Sequence, residues 1–177
     1  MGQLGVGDTG NRLVPTLVTG QLQDQAVVYA AAGKDHTLCI TADGSLFAWG
    51  DNEHAQLGVG DKENRRVPTL VTGLQGKQVV HVAAGSNHTI CSTADGSVFT
   101  WGSCERGKLG LGDDRSNKLV PTLVRGELQN EAVVQVAAGN THSVCVNEDG
   151  SFYSWGRNHV GQLGVAGVDD ASLPMLV

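Results

Sequence analysis

The sequence predicts an all-β protein built from β-propeller blades, each a four-stranded antiparallel sheet. Three observations predict it. The chain repeats itself about every 53 residues, each repeat contains an Asp-Gly pair between two short alternating runs, and each repeat contains two further runs with strand character. Four short strands per repeat follow from these patterns.

The repeat is visible in motifs that recur in one fixed order. PTLV begins at Pro15, Pro68 and Pro121 and returns as PMLV at Pro174, a spacing of 53 residues each time. AAGxxHT or AAGxxHS, DGxxxxWG and an LG pair recur with it. We therefore expect a single repeat array over residues 1–177, with residues 1–20 as the tail of a preceding repeat and repeats at 21–73, 74–126 and 127–177.

The Asp-Gly pairs, at Asp43, Asp95 and Asp149, predict the hairpin turns between the two middle strands. Asp-Gly favours the type I′ turn, in which both central residues have positive φ. In the run before the first turn, Leu38 and Ile40 alternate with smaller side chains. This period of two indicates a strand.

The two outer runs of each repeat differ in character. VVYAAAG, VVHVAAG and VVQVAAG are apolar and end in small residues, which predicts a buried strand next to the crowded axis of a ring. LVPTLV and RVPTLV carry a proline, which suits a strand beginning or an outer edge. A repeat of this kind cannot bury its own two faces, so neighbours must stack, radially as a propeller or linearly as a solenoid. Four antiparallel strands per repeat favour the propeller.

Charge and hydropathy exclude two classes of partner. The formal net charge is -6 and the pI is about 5.4, and no basic run could neutralise a row of phosphates, so we expect no direct nucleic-acid binding. No apolar stretch approaches the roughly 18 residues of a membrane span, and the amino terminus has no signal pattern. We expect no membrane partner and an intracellular protein.

The histidines and cysteines give no sign of catalysis. His36, His88 and His142 occupy equivalent repeat positions, so we expect each to make a structural hydrogen bond to a backbone carbonyl rather than to hold a metal. Equivalent positions also hold three of the cysteines, which we interpret as small buried thiols: Cys39, Cys91 and Cys145. Cys104 lies alone in a loop without a placed base. We expect no catalytic residue, no metal and no cofactor, and hence no enzyme.

The positions where the repeats differ are the candidate binding residues, because loops that vary on a constant frame carry the recognition chemistry of many folds. They follow AAG or follow Trp-Gly in each repeat. The candidate partner-binding residues are Lys34, Asp35, Asp51, Glu53, His54, Ser86, Asn87, Glu105, Arg106, Asn140, Thr141, Arg157 and His159.

The order AAGxxHT, DGxxxxWG, GQLGxGD and PTLV resembles the repeats of the regulator of chromosome condensation family over essentially the whole chain. That resemblance implies a seven-bladed β-propeller, of which this sequence supplies a partial ring of about three blades. Open blade faces at both ends of such a partial ring should favour self-association.

The resemblance implies two functions. The first is a non-catalytic protein-interaction scaffold, and a ubiquitin-pathway component is one partner class because such repeats occur in large ubiquitin ligases. The alternative is a guanine-nucleotide exchange factor or regulator acting on a small GTPase, as the family's founding member is. The repeat spacing leaves no room for the β-wedge of that founding member, so the scaffold is favoured. Nucleus and cytoplasm both remain open.

Overall fold

The computed structural model describes residues 1–129 and 131–177, and its strands form three sheets of four strands each. Blade 1 contains β1 (Val27–Ala32), β2 (His36–Thr41), β3 (Leu46–Gly50) and β4 (Arg65–Leu70). Blade 2 contains β5 (Val79–Ala84), β6 (His88–Thr93), β7 (Val98–Gly102) and β8 (Lys118–Leu123). Blade 3 contains β9 (Val133–Ala138), β10 (His142–Asn147), β11 (Phe152–Arg157) and β12 (Asp170–Leu176).

Each blade is an antiparallel meander whose strands pair in chain order. The first strands of the blades, β1, β5 and β9, contact their counterparts in the next blade, so they lie on the inner side. The proline-containing strands β4, β8 and β12 are the outer edges, where a missing backbone donor costs no ladder hydrogen bond. The predicted fold class, partial propeller and four-stranded blades are confirmed.

Apolar faces of adjacent blades form the core. Leu38 and Ile40 of β2 pack in one cluster with Phe99 and Trp101 of blade 2. A second cluster joins blade 2 to blade 3 around Trp155, and both Trp101 and Trp155 are 0% exposed. Burying an aromatic or branched side chain contributes roughly 1.5–3 kcal/mol relative to exposure. Both clusters therefore stabilise the contact between adjacent blades.

The Asp-Gly turns differ from the predicted type I′ geometry. Gly44 has φ 80, whereas Asp43 is not among the residues with positive φ. The Gly44 N–H donates to the Thr41 carbonyl at 2.8 Å, and the Asp43 carboxylate accepts the Thr41 hydroxyl at 2.6 Å. The turn is thus a type I turn followed by a left-handed glycine, held by the aspartate side chain. The prediction of a hairpin was right and the prediction of its turn type was wrong.

The blades expose two different ends. We call one the loop face: the β1–β2 and β3–β4 loops and their counterparts, at 33–35, 51–64, 85–87, 103–117, 139–141 and 158–169, with the adjacent strand ends. We call the other the turn face: the Asp-Gly turns at 42–45, 94–97 and 148–151 and the connections at 19–26, 71–78, 124–129 and 131–132. Antiparallel pairing places these sets at opposite ends of every strand.

The segment before β1 is largely exposed. Leu13 is 99% exposed and Leu17 83% exposed, and these residues belong to the first copy of the LVPTLV motif. The helical elements are short 3-10 turns, such as Gly20–Leu22 and Thr72–Leu74. None of the helical segments in residues 1–129 and 131–177 has the length and apolar character needed to cross a membrane.

Candidate interaction site

Adjacent blades are joined by a hydrogen-bonded joint around one backbone carbonyl. The carbonyl oxygen of Gln56, in the β3–β4 loop of blade 1, accepts the Trp101 Nε1–H of blade 2 at 2.9 Å. The same oxygen accepts the Thr89 hydroxyl at 2.7 Å. Gly58 lies against the indole, and a Cβ built there would be 2.6 Å from Trp101 Nε1. The Gln-Leu-Gly motif is therefore part of the contact between blades.

The same joint occurs wherever two successive repeat segments meet. The Lys108 carbonyl of blade 2 accepts the Trp155 indole at 3.0 Å and the Ser143 hydroxyl at 2.8 Å of blade 3. The Gln3 carbonyl does the same for Trp49 at 2.9 Å. The Gln56 and Lys108 carbonyls each accept two buried donors, and each of the three joints satisfies the polar tip of a buried tryptophan.

The histidines extend this joint. His36 Nε2 lies 3.1 Å from Thr89 Oγ1, and His88 Nε2 lies 3.0 Å from Ser143 Oγ. Each hydroxyl donates its proton to a carbonyl, so the histidine Nε2–H must donate to the hydroxyl oxygen. The predicted structural role is correct for His36 and His88, but the acceptor is a side-chain hydroxyl of the next blade and not a backbone carbonyl. His142 makes no side-chain hydrogen bond within residues 1–129 and 131–177.

These buried histidines are neutral in the folded chain. Burial lowers the pKa of His36 to about 4, against which the nearby Asp51 charge acts. Burial lowers the pKa of His88 to about 3, with the Lys108 charge acting in the same direction. The Nδ1 atoms of both rings are buried without a hydrogen-bond partner among the described residues, as suits the unprotonated nitrogen.

The cysteines occupy the predicted environments. All four are free, and three are buried: Cys39, Cys91 and Cys145. Burial raises the pKa of Cys39 to about 11 and that of Cys145 to about 12, which keeps both in the thiol form. Cys104 is partly exposed, and its thiol donates to the Arg115 carbonyl at 2.7 Å.

The two variable segments of each blade lie side by side on the loop face. The Asp51 N–H donates to the Asp35 carbonyl at 2.8 Å in blade 1. Corresponding bonds join Ser103 to Asn87 at 2.8 Å and Arg157 to Thr141 at 2.9 Å. Main-chain hydrogen bonds therefore hold the two variable segments of each blade side by side, independently of their side chains. We call each such pair of segments a ledge.

The candidate residues fall into three groups by exposure. The exposed ones are Lys34, Glu53, Glu105, Arg106, Asn140 and His159. The half-buried ones are Asp35, His54, Ser86, Asn87, Thr141 and Arg157. Asp51 is buried, at 6% exposure, and its carboxylate accepts Gln56 Nε2–H at 2.6 Å. Asp51 therefore supports its own loop and is not part of the accessible surface.

A recess of about 670 Å³ opens on the loop face between blades 2 and 3. Glu105 and Arg106 line it together with the Asp113–Arg115 stretch and the start of β12. Arg106 Nη1 lies 3.7 Å from Asp170 Oδ2 across the blade boundary. Arg106 also has φ 62, a left-handed conformation that is uncommon outside glycine. The recess presents both signs of charge on a frame fixed by the blades.

Blade 2 departs from its neighbours inside this loop. Asn52 accepts the Leu57 N–H at 3.0 Å and donates to the Asp61 carbonyl at 3.0 Å, and Asn158 does the equivalent in blade 3. Cys104 stands at this position in blade 2, and its side chain donates to the Arg115 carbonyl instead of accepting the N–H of the following leucine. Lys108 replaces the glutamine before Leu-Gly; its side chain is 2% exposed, and burial lowers its pKa.

Sequence reasoning missed the joint residues Gln56, Thr89 and Lys108. The available signal was that glutamine precedes Leu-Gly in three of its four copies, and that threonine or serine follows each of the three repeated histidines. Recurrence indicated structural importance, but it did not show that the two positions meet across a blade boundary.

Comparison with known families agrees with this architecture. The family model of the regulator of chromosome condensation (RCC1) repeat matches residues 1–40, 43–92, 95–146 and 149–177. A second model of the same repeat matches residues 27–56, 79–107 and 133–162. Together these matches span nearly the whole chain.

Curated relatives share the repeat at substantial identity. The chain is 37% identical over 176 residues to the ultraviolet-B receptor UVR8 of Arabidopsis thaliana, covering 99% of this chain and 39% of that protein. It is 39% identical over 178 residues to the human E3 ubiquitin-protein ligase HERC2, covering 99% of this chain and 4% of that protein. The chain thus spans well under half the length of these relatives.

Solved structures give the same answer for the fold. Human WBSCR16 superposes with a TM-score of 0.79 at 28% identity, covering 87% of this chain and 38% of that one. Prp20p of Saccharomyces cerevisiae superposes with a TM-score of 0.77 at 27% identity, covering 85% and 38%. With repeats, joints and blades all in agreement, this chain belongs to the regulator of chromosome condensation (RCC1) repeat family.

Proposed function

We propose that this chain is a non-catalytic protein-interaction scaffold that binds a protein partner through its loop face. The observation that carries the proposal is the ledge in each blade, where main-chain bonds such as Asp51 N–H to Asp35 O fix two segments of variable sequence side by side. A rigid frame with variable exposed side chains lets recognition change without changing the fold.

The recess between blades 2 and 3 is the centre of the proposed surface. It is concave, and its Glu105 and Arg106 side chains are exposed. Arg106 has a left-handed backbone conformation within a tight turn. Arginine is enriched among the residues that dominate interface energetics. A partner segment with both acidic and basic groups would fit the mixed charge of this recess.

The similar proteins support two alternative classes of partner. HERC2 is a ubiquitin-protein ligase, which supports a ubiquitin-pathway component as partner. Prp20p is described by its binding to Gsp1p and histones, which supports the second candidate function, regulation of a small GTPase by nucleotide exchange. Either partner would place the chain in the cytoplasm or the nucleus, without direct contact to nucleic acid or membrane.

Site-specific photocrosslinking tests the scaffold proposal. A photoreactive amino acid is placed singly at the loop-face positions His54, Arg106 and His159, and at the turn-face positions Gln23 and Gln75 as matched exposed controls. One recurrent partner should be captured from at least two loop-face positions and from neither control. Equal capture from both faces, or no recurrent partner, would overturn the proposal.

Binding of the purified partner then measures the contribution of the loops. The paired change Glu105→Ala and Arg106→Ala should weaken binding by about tenfold or more, since removing an interface anchor costs about 1–2 kcal/mol or more. The exposed pair Gln75→Ala and Gln78→Ala serves as the control and should leave affinity unchanged. The scaffold proposal is wrong if the loop variant binds as tightly as the parent.

The exchange function has its own measurement. Nucleotide release is followed from a panel of small GTPases loaded with a fluorescent guanine nucleotide, with and without the chain. Acceleration that is lost in the Glu105→Ala and Arg106→Ala variant favours exchange. Binding without acceleration leaves the scaffold as the function.

A further inference from the structure

The turn face between blades 2 and 3 carries four carboxylates without an ion-pair partner. They come from the connection before β9 and from the Asp-Gly turn of blade 3: Glu127, Glu131, Glu148 and Asp149. Within the described residues, none of them has a basic side chain within 4.0 Å. Both flanking blades are present at this junction, so the cluster is a property of a complete blade boundary.

The equivalent place one blade earlier shows what such a site can hold. There Lys77 Nζ lies 3.0 Å from Asp95 Oδ2 and 5.5 Å from the centre of the Phe99 ring. An ammonium group between a carboxylate and an aromatic face gains both a charge-assisted hydrogen bond and a cation–π contact. The chain therefore fills this position with its own cation at the boundary of blades 1 and 2.

Blade 3 keeps the binding groups and loses the cation. Asp149 follows Asp95 by 54 residues and Tyr153 follows Phe99 by 54 residues, so a carboxylate and an aromatic ring are both retained. Glu131 stands 54 residues after Lys77, in the position of the ammonium. An attractive pair has thus become two carboxylates, a change that favours a cation from outside the chain.

Two further side chains at this site interact with its carboxylates. Asn147 is 2% exposed; its Nδ2 donates to Glu131 Oε2 at 2.6 Å, while its Oδ1 has no hydrogen-bond partner among the described residues. The sister blades have threonine at this position, with its hydroxyl bonded to the turn aspartate, as in Thr93 to Asp95. Burial, and then the charges of Glu131 and Glu127, raise the pKa of Tyr153.

We propose that this site binds the side-chain ammonium group of a lysine from a basic segment of a partner protein. The ammonium donates to the carboxylates of Glu131 and Asp149, as the Lys77 ammonium donates to Asp95, and it approaches the Tyr153 ring as Lys77 approaches Phe99. A cavity of about 390 Å³ beside Glu131 leaves room for the flanking peptide, and Arg125 on its wall would favour a segment whose acidic residues follow the lysine. The site lies on the turn face, so its test is independent of the test of the proposed loop-face function.

Fluorine NMR reads this site directly, because the chain has two tyrosines, Tyr29 and Tyr153. The chain is labelled with 3-fluorotyrosine and titrated with the capped peptide Gly-Lys-Lys-Lys-Gly. The Tyr153 resonance should shift saturably, whereas the Tyr29 resonance on the inner strand of blade 1 should not. The same peptide with every lysine Nζ acetylated should leave both resonances unchanged.

Two variants and a matched control complete the test. Glu131→Lys introduces the residue type of Lys77 and should weaken the peptide by about fivefold or more. Glu131→Gln, the residue type of Gln25 in blade 1, should weaken the peptide in the same direction. Glu63→Lys makes the same charge change at an exposed loop-face site outside the recess and should lower affinity by less than about twofold.

The outcomes separate a site from general charge attraction. A Tyr153 resonance that does not move, an acetylated peptide that binds equally, or a Glu63→Lys variant as weak as Glu131→Lys would each overturn the proposal. Parent-like binding by both Glu131 variants would do the same.

Discussion

The Trp101 indole of blade 2 donates a hydrogen bond to the Gln56 carbonyl of blade 1, and Gly58 lies flat against the same ring. One loop thus provides both a hydrogen-bond acceptor and a close surface for the most buried aromatic residue of the next blade. The stability of each blade boundary depends on this three-residue motif, because the tryptophan would otherwise bury an unsatisfied donor.

Gly58→Ala should destabilise the chain more than Gly60→Ala. Both glycines have positive φ, at 71 and 95, so both substitutions strain the backbone. A Cβ at Gly58 would be 2.6 Å from Trp101 Nε1, whereas a Cβ at Gly60 meets nothing within 4 Å. Chemical denaturation should show a free energy of unfolding about 1–3 kcal/mol lower for Gly58→Ala than for Gly60→Ala. Equal losses would mean that the blade contact plays no part.

Thr89→Val should lower the free energy of unfolding by about 1–3 kcal/mol, because it leaves the buried His36 Nε2–H without an acceptor. Thr89→Ser keeps the hydroxyl, as Ser143 does in blade 3, and should cost less. Urea unfolding of the two variants beside the parent measures the difference. If valine and serine are equivalent, the hydroxyl does not link the blades.

Stability should fall as the pH drops below about 6.5. The pKa of His36 is lowered from 6.5 to about 4 and that of His88 to about 3, each chiefly by burial. Below 6.5 the unfolded chain therefore takes up protons that the folded chain does not, so the free energy of unfolding falls by up to about 1.4 kcal/mol per pH unit for each histidine. Above 6.5 this contribution is complete.

Denaturation at several pH values between 7 and 5 checks this, since most carboxylates stay ionised in that window. His88→Gln should flatten the pH dependence. His142→Gln should flatten it less, because His142 is only half-buried and the burial that lowers its pKa is therefore partial. An unchanged slope in His88→Gln would contradict the assignment of this pH dependence to the joint.

Cys104→Asn should stabilise blade 2. Asn52 and Asn158 each accept the N–H of the leucine in their Leu-Gly motif. Among the described residues, the corresponding Leu109 N–H has no acceptor. Restoring the amide should raise the free energy of unfolding by about 0.5–1.5 kcal/mol, measured by thermal or chemical denaturation. The reverse change, Asn52→Cys, should lower it; an effect of the opposite sign in either variant would show that the loops are not equivalent.

Local sequence patterns predicted most of the fold. Alternation around Leu38 and Ile40, the turn at Asp43 and the proline of β4 each depend on near neighbours in the chain, so they could be read correctly. The turn type could not, because the Asp43 carboxylate holds a type I turn that the dipeptide alone does not indicate.

The candidate site was predicted less completely. The variable segments do meet on one face, but their exposure depends on contacts within each loop. Asp51 was expected at the surface and is buried because Gln56 folds back onto it. The joint of Gln56 with Trp101 depends on register between residues 45 positions apart, which no local pattern reports.

The joint uses a main-chain oxygen, so it makes no demand on the side chain of the residue that supplies it. Glutamine at position 56 and lysine at position 108 serve equally, and their side chains then differ in charge and partners. Adjacent blades can therefore be exchanged or reordered without changing the hydrogen bonds of the joint between them. In such a chain the exposed side chains of one blade can change while the contact between blades stays the same.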